Sequence, residues 1–213
     1  MHRAIAALLL VGCSGGPSGG DGGRPDAAAD AAQQGGLAFA LVAAPTLSHV
    51  ADQVEVSEIR FWLRDIRAIG DAAPGDSRTY ITQIDLDYRA DRDPSPLSFP
   101  LAPPGLYSEL DARLGQAGGD GGNGYEIRGT VTVGATTYEL EIQDQAASGT
   151  IAVPLGGLRV ENQTSATVAL DLSFLGAIDW SAAPHDQDKI QLDSSNPFTA
   201  QVRAGILAAF RLQ

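Results

Sequence analysis

The sequence predicts a mainly β fold, an antiparallel β-sandwich with a C-terminal α-helix. Residues 80–89 (YITQIDLDYR) and 167–174 (TVALDLSF) alternate apolar and polar side chains, as strands with one buried and one wet face do. Residues around Gly134-Ala135 indicate a hairpin, and the last part of the chain changes to a helical period. Strands therefore dominate the predicted order, with one helix at the end.

Further strands are expected between clusters of proline and glycine such as Pro103-Pro104-Gly105. They are predicted at 37–43, 97–101, 106–113 and 150–155. The segment 54–69 also fits an amphipathic helix, but Ile59, Phe61 and Leu63 alternate and no residue caps a helix. A long, bulged strand is the favoured interpretation of this segment.

The hairpin has a register that the sequence alone predicts. If Val133 pairs with Thr136 across a type II′ turn, Ile127 lies opposite Ile142 on the apolar face. On the other face Arg128 then meets Glu141. A shift by one residue would destroy both sets of pairs, so this register is strongly specified.

The C-terminal helix is predicted from its cap and its apolar stripe. Asn196 can cap the helix and Pro197 suits its first position. Apolar side chains recur every four residues for about fifteen residues, at Phe198, Val202, Ile206 and Phe210. Gly205 within this stretch costs up to about 1 kcal/mol relative to alanine, so packing against a sheet must hold the helix.

The composition excludes some classes of partner. The formal net charge is −12, and Lys189 is the single lysine among dispersed arginines. A phosphate backbone requires clustered lysine and arginine, so nucleic acid is not an expected partner. The chain also has one cysteine, Cys13, and therefore no internal disulfide.

The first thirteen residues suggest where the protein is located. Basic His2 and Arg3 precede an apolar stretch that ends in Leu10-Val11-Gly12-Cys13. This pattern resembles a bacterial lipoprotein signal peptide, and the resemblance implies cleavage before Cys13 and lipidation of that residue. Because Ser14 rather than aspartate follows, the resemblance favours anchoring in the outer membrane of the cell envelope.

Three regions follow from this interpretation. Residues 1–12 are the predicted signal peptide, and 13–36 are the lipidated cysteine and a Gly/Ala/Asp-rich tether. Residues 14–36 contain no aromatic or branched aliphatic side chain, which predicts disorder. Residues 37–213 are predicted to form a single β-sandwich domain, and the whole pattern is similar to uncharacterised lipoproteins of Gram-negative bacteria.

The search for catalytic chemistry favours a protein that is not an enzyme. His49 and His185 are the histidines that remain after the signal, and neither a G-x-S-x-G elbow nor a phosphate-binding loop occurs. Glu139 and Glu141 share a strand face, but the hairpin register already explains them as partners of Thr130 and Arg128. No cofactor is expected.

Two weaker binding sites are predicted. Asp186, Asp188 and Asp193 supply oxygen ligands that could hold Ca²⁺, with a solvated loop as the favoured alternative. Arg60, Trp62 and Arg64 share one face if 54–69 is a strand, and such a surface can bind a ligand such as a sugar ring. Ordinary packing is the favoured alternative for this tryptophan and for Trp180.

The sequence thus predicts a lipid-anchored envelope protein that acts as a structural or binding module, with an envelope protein or a glycan as its partner besides the membrane. A carbohydrate- or calcium-binding adhesion domain is the alternative, and it requires an exposed Trp62 or Trp180. An envelope hydrolase is a further alternative, and it requires carboxylates from distant strands to converge in a cleft.

Overall fold

Alternating side chains dictate a strand-rich architecture in the computed structural model of the chain, which describes residues 36–70, 80–115 and 124–213. No helix within these ranges is both long and apolar enough to cross a membrane. The strands in these ranges are β1 (Gly36–Ala43), β2 (Val54–Gly70), β3 (Tyr80–Arg89), β4 (Leu97–Phe99), β5 (Gly105–Leu114), β6 (Tyr125–Val133), β7 (Thr136–Asp144), β8 (Gly149–Val160), β9 (Gln163–Leu170), β10 (Lys189–Leu192) and β11 (Phe210–Leu212). One α-helix, α1 (Pro197–Leu207), and short 3₁₀ turns at Leu47–His49, Ser173–Ala177 and Trp180–Ala182 complete the described elements.

The strands form two sheets of unequal size, which confirms the predicted β-sandwich. The smaller sheet has four strands in the order β11-β9-β1-β4, and the larger has seven, with β10-β7-β6-β2-β5-β8 in order and β3 beside β2. Most pairs are antiparallel, but β1 pairs with β9 and β7 with β10 in parallel. Parallel pairing is possible here because a long stretch of chain separates the two strands of each pair.

The long strand β2 organises the larger sheet. Its residues from Glu58 to Arg67 pair with β3 along one edge, so β5 and β6 must share the other edge. These two strands lie end to end there and meet at Trp62, whose N–H donates to the Gly124 carbonyl and whose carbonyl accepts from the Gly115 N–H. The predicted bulged strand is confirmed, with irregularities between Val56 and Glu58 and between Arg64 and Arg67.

Inward-facing side chains of the two sheets form one core. Phe61 of β2 is fully buried and packs edge-on against Tyr88 of β3 at 6.1 Å and against Phe210 of β11 at 5.4 Å. The contact with Phe210 joins the larger sheet to the smaller one. Full burial of a side chain of this size contributes about 1.5–3 kcal/mol, so contacts of this kind hold the sandwich together.

The hairpin of β6 and β7 has the predicted register. Val133 pairs with Thr136, Ile127 with Ile142 and Arg128 with Glu141. Gly134 has a φ of 62°, whereas Ala135 has no positive φ, which is the combination of a type II′ turn.

The end of the chain differs from the prediction. Asn196 caps α1 by accepting a hydrogen bond from the Phe198 N–H, but the helix has 11 residues and ends at Leu207. Phe210 lies instead on β11, where it pairs with Leu170 of β9 and is buried against the core. The four-residue repeat of apolar side chains therefore extends beyond the last residue of α1.

A candidate binding face on the larger sheet

The candidate site lies on the face of the larger sheet that points away from the smaller sheet, here called the outer face. Phe61 and Leu63 of β2 are buried in the core. Since successive side chains of a strand point to opposite sides, Arg60, Trp62 and Arg64 lie on the outer face. The structure therefore brings together the three residues that the sequence predicted as a ligand-binding group.

Half of this face is a ladder of paired charges. Arg60 approaches Glu58 to 2.6 Å, Arg89 of β3 approaches Glu58 to 3.0 Å and Arg128 of β6 approaches Glu126 to 2.5 Å. The registers place opposite charges on neighbouring strands, as in the pair of Arg60 with Asp87. Each such cross-strand pair contributes roughly 0.2–1 kcal/mol, so these charges stabilise the sheet.

The ladder ends at β10 with the single lysine. Lys189 Nζ donates to Glu141 Oε2 at 2.5 Å. The hydrogen bond from Lys189, together with one from Gln143, lowers the pKa of Glu141 despite its partial burial. Glu141 is thus held ionised by Lys189 and Gln143. Arg128, which lies opposite it in the register, instead makes its ion pairs with Glu126 and Glu58.

The charge pattern changes beyond Trp62. Arg64 of β2 pairs directly with Arg113 of β5, so two like charges lie opposite each other. Asp65 occupies the bulge in β2 with a φ of 53°, and its carboxylate lies 3.9 Å from Arg64 Nη1 and 4.0 Å from Arg113 Nε. The same carboxylate accepts a hydrogen bond from the Tyr80 hydroxyl at 2.8 Å. Asp65 therefore accepts a hydrogen bond from Tyr80 and lies at ion-pair distance from both arginines.

Trp62 is partly exposed between these two regions. On one side it faces Asp85 of β3, and on the other the register places Gly115 and Gly124, which have no side chains. A side chain at either glycine would clash with Ala147, whose carbonyl oxygen lies next to Gly115 and whose Cβ lies next to Gly124. Arginines two residues before and after this indole on the strand could stack on it, but the cation–π pair among the described contacts is Arg67 over Tyr80 at 5.7 Å.

Trp180 has a structural role. Its side chain is 3 % exposed and its Nε1–H donates to the Leu175 carbonyl at 2.9 Å. This tryptophan therefore plugs the core next to a 3₁₀ turn, as the packing interpretation predicted. Of the two tryptophans that the adhesion hypothesis named, Trp62 alone is accessible.

The three aspartates predicted to hold Ca²⁺ do not form a site. Asp186, Asp188 and Asp193 are exposed, and no group of three or more acidic, histidine or cysteine side chains in the described residues could hold a metal ion. Asp193 instead accepts hydrogen bonds from the backbone N–H and the hydroxyl of Ser195, and these lower its pKa. Asp186 and Asp188 lie in the turn before β10 and Asp193 follows its end, so the three aspartates do not converge and the calcium prediction gains no support.

Two grooves among the described residues can be compared with the converging carboxylates of a hydrolase cleft. A depression of about 370 Å³ at one end of the smaller sheet is lined by backbone and by neutral side chains such as Ser98 and Gln163. A second, of about 290 Å³, contains Asp85, Asp87 and Asp93. These carboxylates come from β3 and the turn after it rather than from distant strands.

Two further features of this face escaped sequence reasoning. Arg113 lies opposite Arg64, and Asp65 bridges them, because β5 pairs with β2 through a long-range contact. The positive φ of Asp65 had a weak signal, since aspartate tolerates this conformation better than most residues. Cys13 lies outside the described residues, so its lipidation stays a prediction.

The outer face is identified as the candidate site from its geometry, without support from a related protein. No family model, no curated protein and no solved structure matches this chain.

Proposed function

We propose that this chain is a lipid-anchored protein of the bacterial cell envelope whose β-sandwich binds a partner through its outer face and catalyses no reaction. The observation that carries the anchoring is the sequence Leu10-Val11-Gly12-Cys13 after a basic and apolar start. Several acyl chains on one terminus, at about 0.8 kcal/mol per buried CH₂, would hold the protein stably in a membrane. A lipid on Cys13 places the sandwich at the membrane surface.

The binding role is supported by the division of the outer face. The charge ladder around Glu58 is internally paired, with nitrogen–oxygen distances of 2.6 and 3.0 Å to Arg60 and Arg89. Next to it lie a partly exposed tryptophan and two arginines that share one distant carboxylate. A rigid sheet that displays such groups is suited to recognition, because strands hold side chains more firmly than loops do.

The experiment that tests anchoring compares the full-length chain with Cys13→Ala and with Ser14→Ala as a matched control. Membranes of expressing cells are separated, washed at high pH and analysed by mass spectrometry for the modified N-terminus. We expect the wild type and Ser14→Ala to stay in the outer-membrane fraction with an acylated Cys13, and Cys13→Ala to be released. Retention of Cys13→Ala in the membrane, or an unmodified Cys13 in the wild type, would overturn the proposal.

The kind of partner has one favoured candidate. Trp62 is accessible on an open sheet face with Arg60 and Arg64 on either side of it along β2. Aromatic rings on open faces hold the apolar side of a sugar ring, and neighbouring polar groups fix its orientation. A glycan of the envelope is therefore the candidate that this observation favours over a protein partner.

A further inference from the structure

We propose that Trp62, Arg64 and Arg113 form a binding site for an acidic polysaccharide, with the tryptophan under a sugar ring and the two arginines on a carboxylate of the same or the next ring. This inference rests on the proposed binding function of the outer face and specifies the chemistry of its ligand.

The first support is the contrast between two groups of arginines. Arg60, Arg89 and Arg128 have carboxylate partners at 2.6, 3.0 and 2.5 Å. Arg64 and Arg113 instead lie opposite each other, and directly opposed like charges destabilise a pair of strands. Two opposed arginines are expected where a bound anion, rather than a carboxylate of the protein, neutralises them.

The second support is the weak neutralisation of these two arginines by the fold. Asp65 lies 3.9 Å from Arg64 and 4.0 Å from Arg113, and its other oxygen accepts the Tyr80 hydroxyl. Asp111, two residues before Arg113 on β5, is a second carboxylate near Arg113, but no hydrogen bond or ion pair among the described residues joins the two. The Arg64 Nε is buried and has no hydrogen-bond partner. A small rotation of the guanidinium toward a carboxylate would give this donor an acceptor in the two-pronged geometry that arginine forms with carboxylates.

The third support is backbone strain at the same place. Asp65 has a φ of 53° within the 17-residue strand β2. This left-handed conformation occurs in the bulge that follows Arg64. Left-handed backbone at a residue other than glycine is uncommon, and bulges of this kind often re-aim side chains next to functional sites. Here the bulge places the Asp65 carboxylate 4.0 Å from Arg113 Nε, while Arg64 lies opposite Arg113 in the register.

The fourth support is the position of Trp62. Arg64 follows it by two residues, which is about 7 Å along a strand. Gly115 and Gly124 lie opposite the indole and are buried against Ala147, so a ligand would reach the ring through its exposed part and not from that side. A pyranose ring stacked on Trp62 would therefore bring an acidic group within reach of Arg64 and Arg113.

The net charge makes the inference specific. A chain of charge −12 repels polyanions at long range, so general attraction would not produce binding. Recognition must come from the local contacts of three side chains.

The test uses the full-length lipidated protein in detergent and measures its binding to immobilised polygalacturonate. The matched probe is the fully methyl-esterified polymer, which has the same sugar backbone without the carboxylate charge. Polyglutamate presents carboxylates without sugar, and dextran sulfate presents sugar with a different anion. We expect binding to polygalacturonate, weaker binding to dextran sulfate and none to the other two polymers.

Variants then assign the residues. Arg64→Gln and Arg113→Gln are each expected to weaken binding tenfold or more, since a charge-assisted hydrogen bond contributes about 1.5–3 kcal/mol. Trp62→Leu should weaken binding to a similar extent, and Arg64→Lys should recover little because it loses the two-pronged geometry. Arg159→Gln is the control, because Arg159 is exposed on β8 and pairs with Glu161 away from this site. Thermal unfolding of every variant verifies that it is folded.

The inference would be overturned by equal binding of the methyl-esterified polymer, by equal binding of polyglutamate, or by an equal loss in Arg159→Gln. Failure of polygalacturonate to bind would also overturn it. These outcomes are distinguishable from failure of the proposed function, because the Cys13 variants test anchoring without any glycan.

Discussion

Asp144 and Arg203 join the end of β7 to the C-terminal helix through two hydrogen bonds. Arg203 Nε donates to Asp144 Oδ2 at 2.6 Å and Arg203 Nη2 donates to Oδ1 at 2.8 Å. The Asp144 side chain is fully buried, whereas Arg203 remains partly exposed. The same region is reinforced by the Tyr125 hydroxyl, which donates to the Thr199 carbonyl of α1 at 3.1 Å.

Removal of the arginine alone should destabilise the fold strongly. In Arg203→Met the buried carboxylate of Asp144 loses its partner, and breaking a buried pair in this way costs about 3–5 kcal/mol. Urea denaturation at pH 7 would measure the loss in the free energy of unfolding. The double variant Asp144→Leu/Arg203→Met should recover much of it, because no unpaired charge is then left in the core. An equal loss in the single and the double variant would show that the charge pair itself is not responsible.

Gly205 gives a case in which helix propensity and packing predict opposite signs. Propensity alone favours alanine by up to about 1 kcal/mol within a helix. A Cβ at this position, however, would lie 2.2 Å from the Phe174 ring, so something must move. We expect Gly205→Ala to destabilise the protein by about 1–3 kcal/mol, as overpacking does, measured by urea denaturation.

The neighbouring residue is the matched control for this substitution. Ala204 is exposed in the same turn of α1, and Ala204→Gly should cost about 1 kcal/mol through propensity alone. Combining Gly205→Ala with Phe174→Leu should restore part of the stability. If Gly205→Ala is more stable than the wild type, the close contact with Phe174 does not limit this position.

Local patterns in the sequence predicted the fold well where both partners of a contact are close in the chain. The β6–β7 register followed from the alternation of a single hairpin around Gly134. The end of α1 did not, because the burial of Phe210 against Phe61 depends on a strand far away in sequence. An apolar residue at helical spacing fits either element, and only the tertiary contact selects one.

The same limit applies to the candidate site. Arg60, Trp62 and Arg64 could be placed on one face because a strand alternates. Arg113 could not be added to them, since the pairing of β5 with β2 involves distant segments and a bulge that shifts the register. Asp186, Asp188 and Asp193 show the reverse case, because they are close in sequence but β10 separates the first two from the third.

The pair of Glu141 and Lys189 predicts a dependence of stability on acid pH. The pKa of Glu141 is lowered in the folded protein, chiefly by the hydrogen bond from Lys189. The carboxylate therefore contributes stability above the ordinary glutamate pKa, and this contribution is lost as the pH falls through the pKa of the folded state. In Lys189→Met we expect an upward shift of the Glu141 pKa, measured by NMR titration of its side-chain carboxyl. Arg159→Met should leave that pKa unchanged, and an unshifted Glu141 in Lys189→Met would contradict the assignment.

Reversal of one charge tests whether the ladder on the outer face stabilises the sheet. Arg128 lies opposite Glu58 on β2 and Glu141 on β7, so Arg128→Glu places three acidic side chains in one row. With cross-strand pairs at roughly 0.2–1 kcal/mol each, lost attraction and new repulsion should cost on the order of 1–2 kcal/mol at pH 7. Arg159→Glu, which disturbs the exposed pair with Glu161, should change the stability by less than about 0.5 kcal/mol. Because protonation removes the repulsion, the cost of Arg128→Glu should shrink when urea denaturation is repeated near the ordinary glutamate pKa. A cost that is the same at both pH values would mean that lost packing of the arginine stem, and not charge, explains the effect.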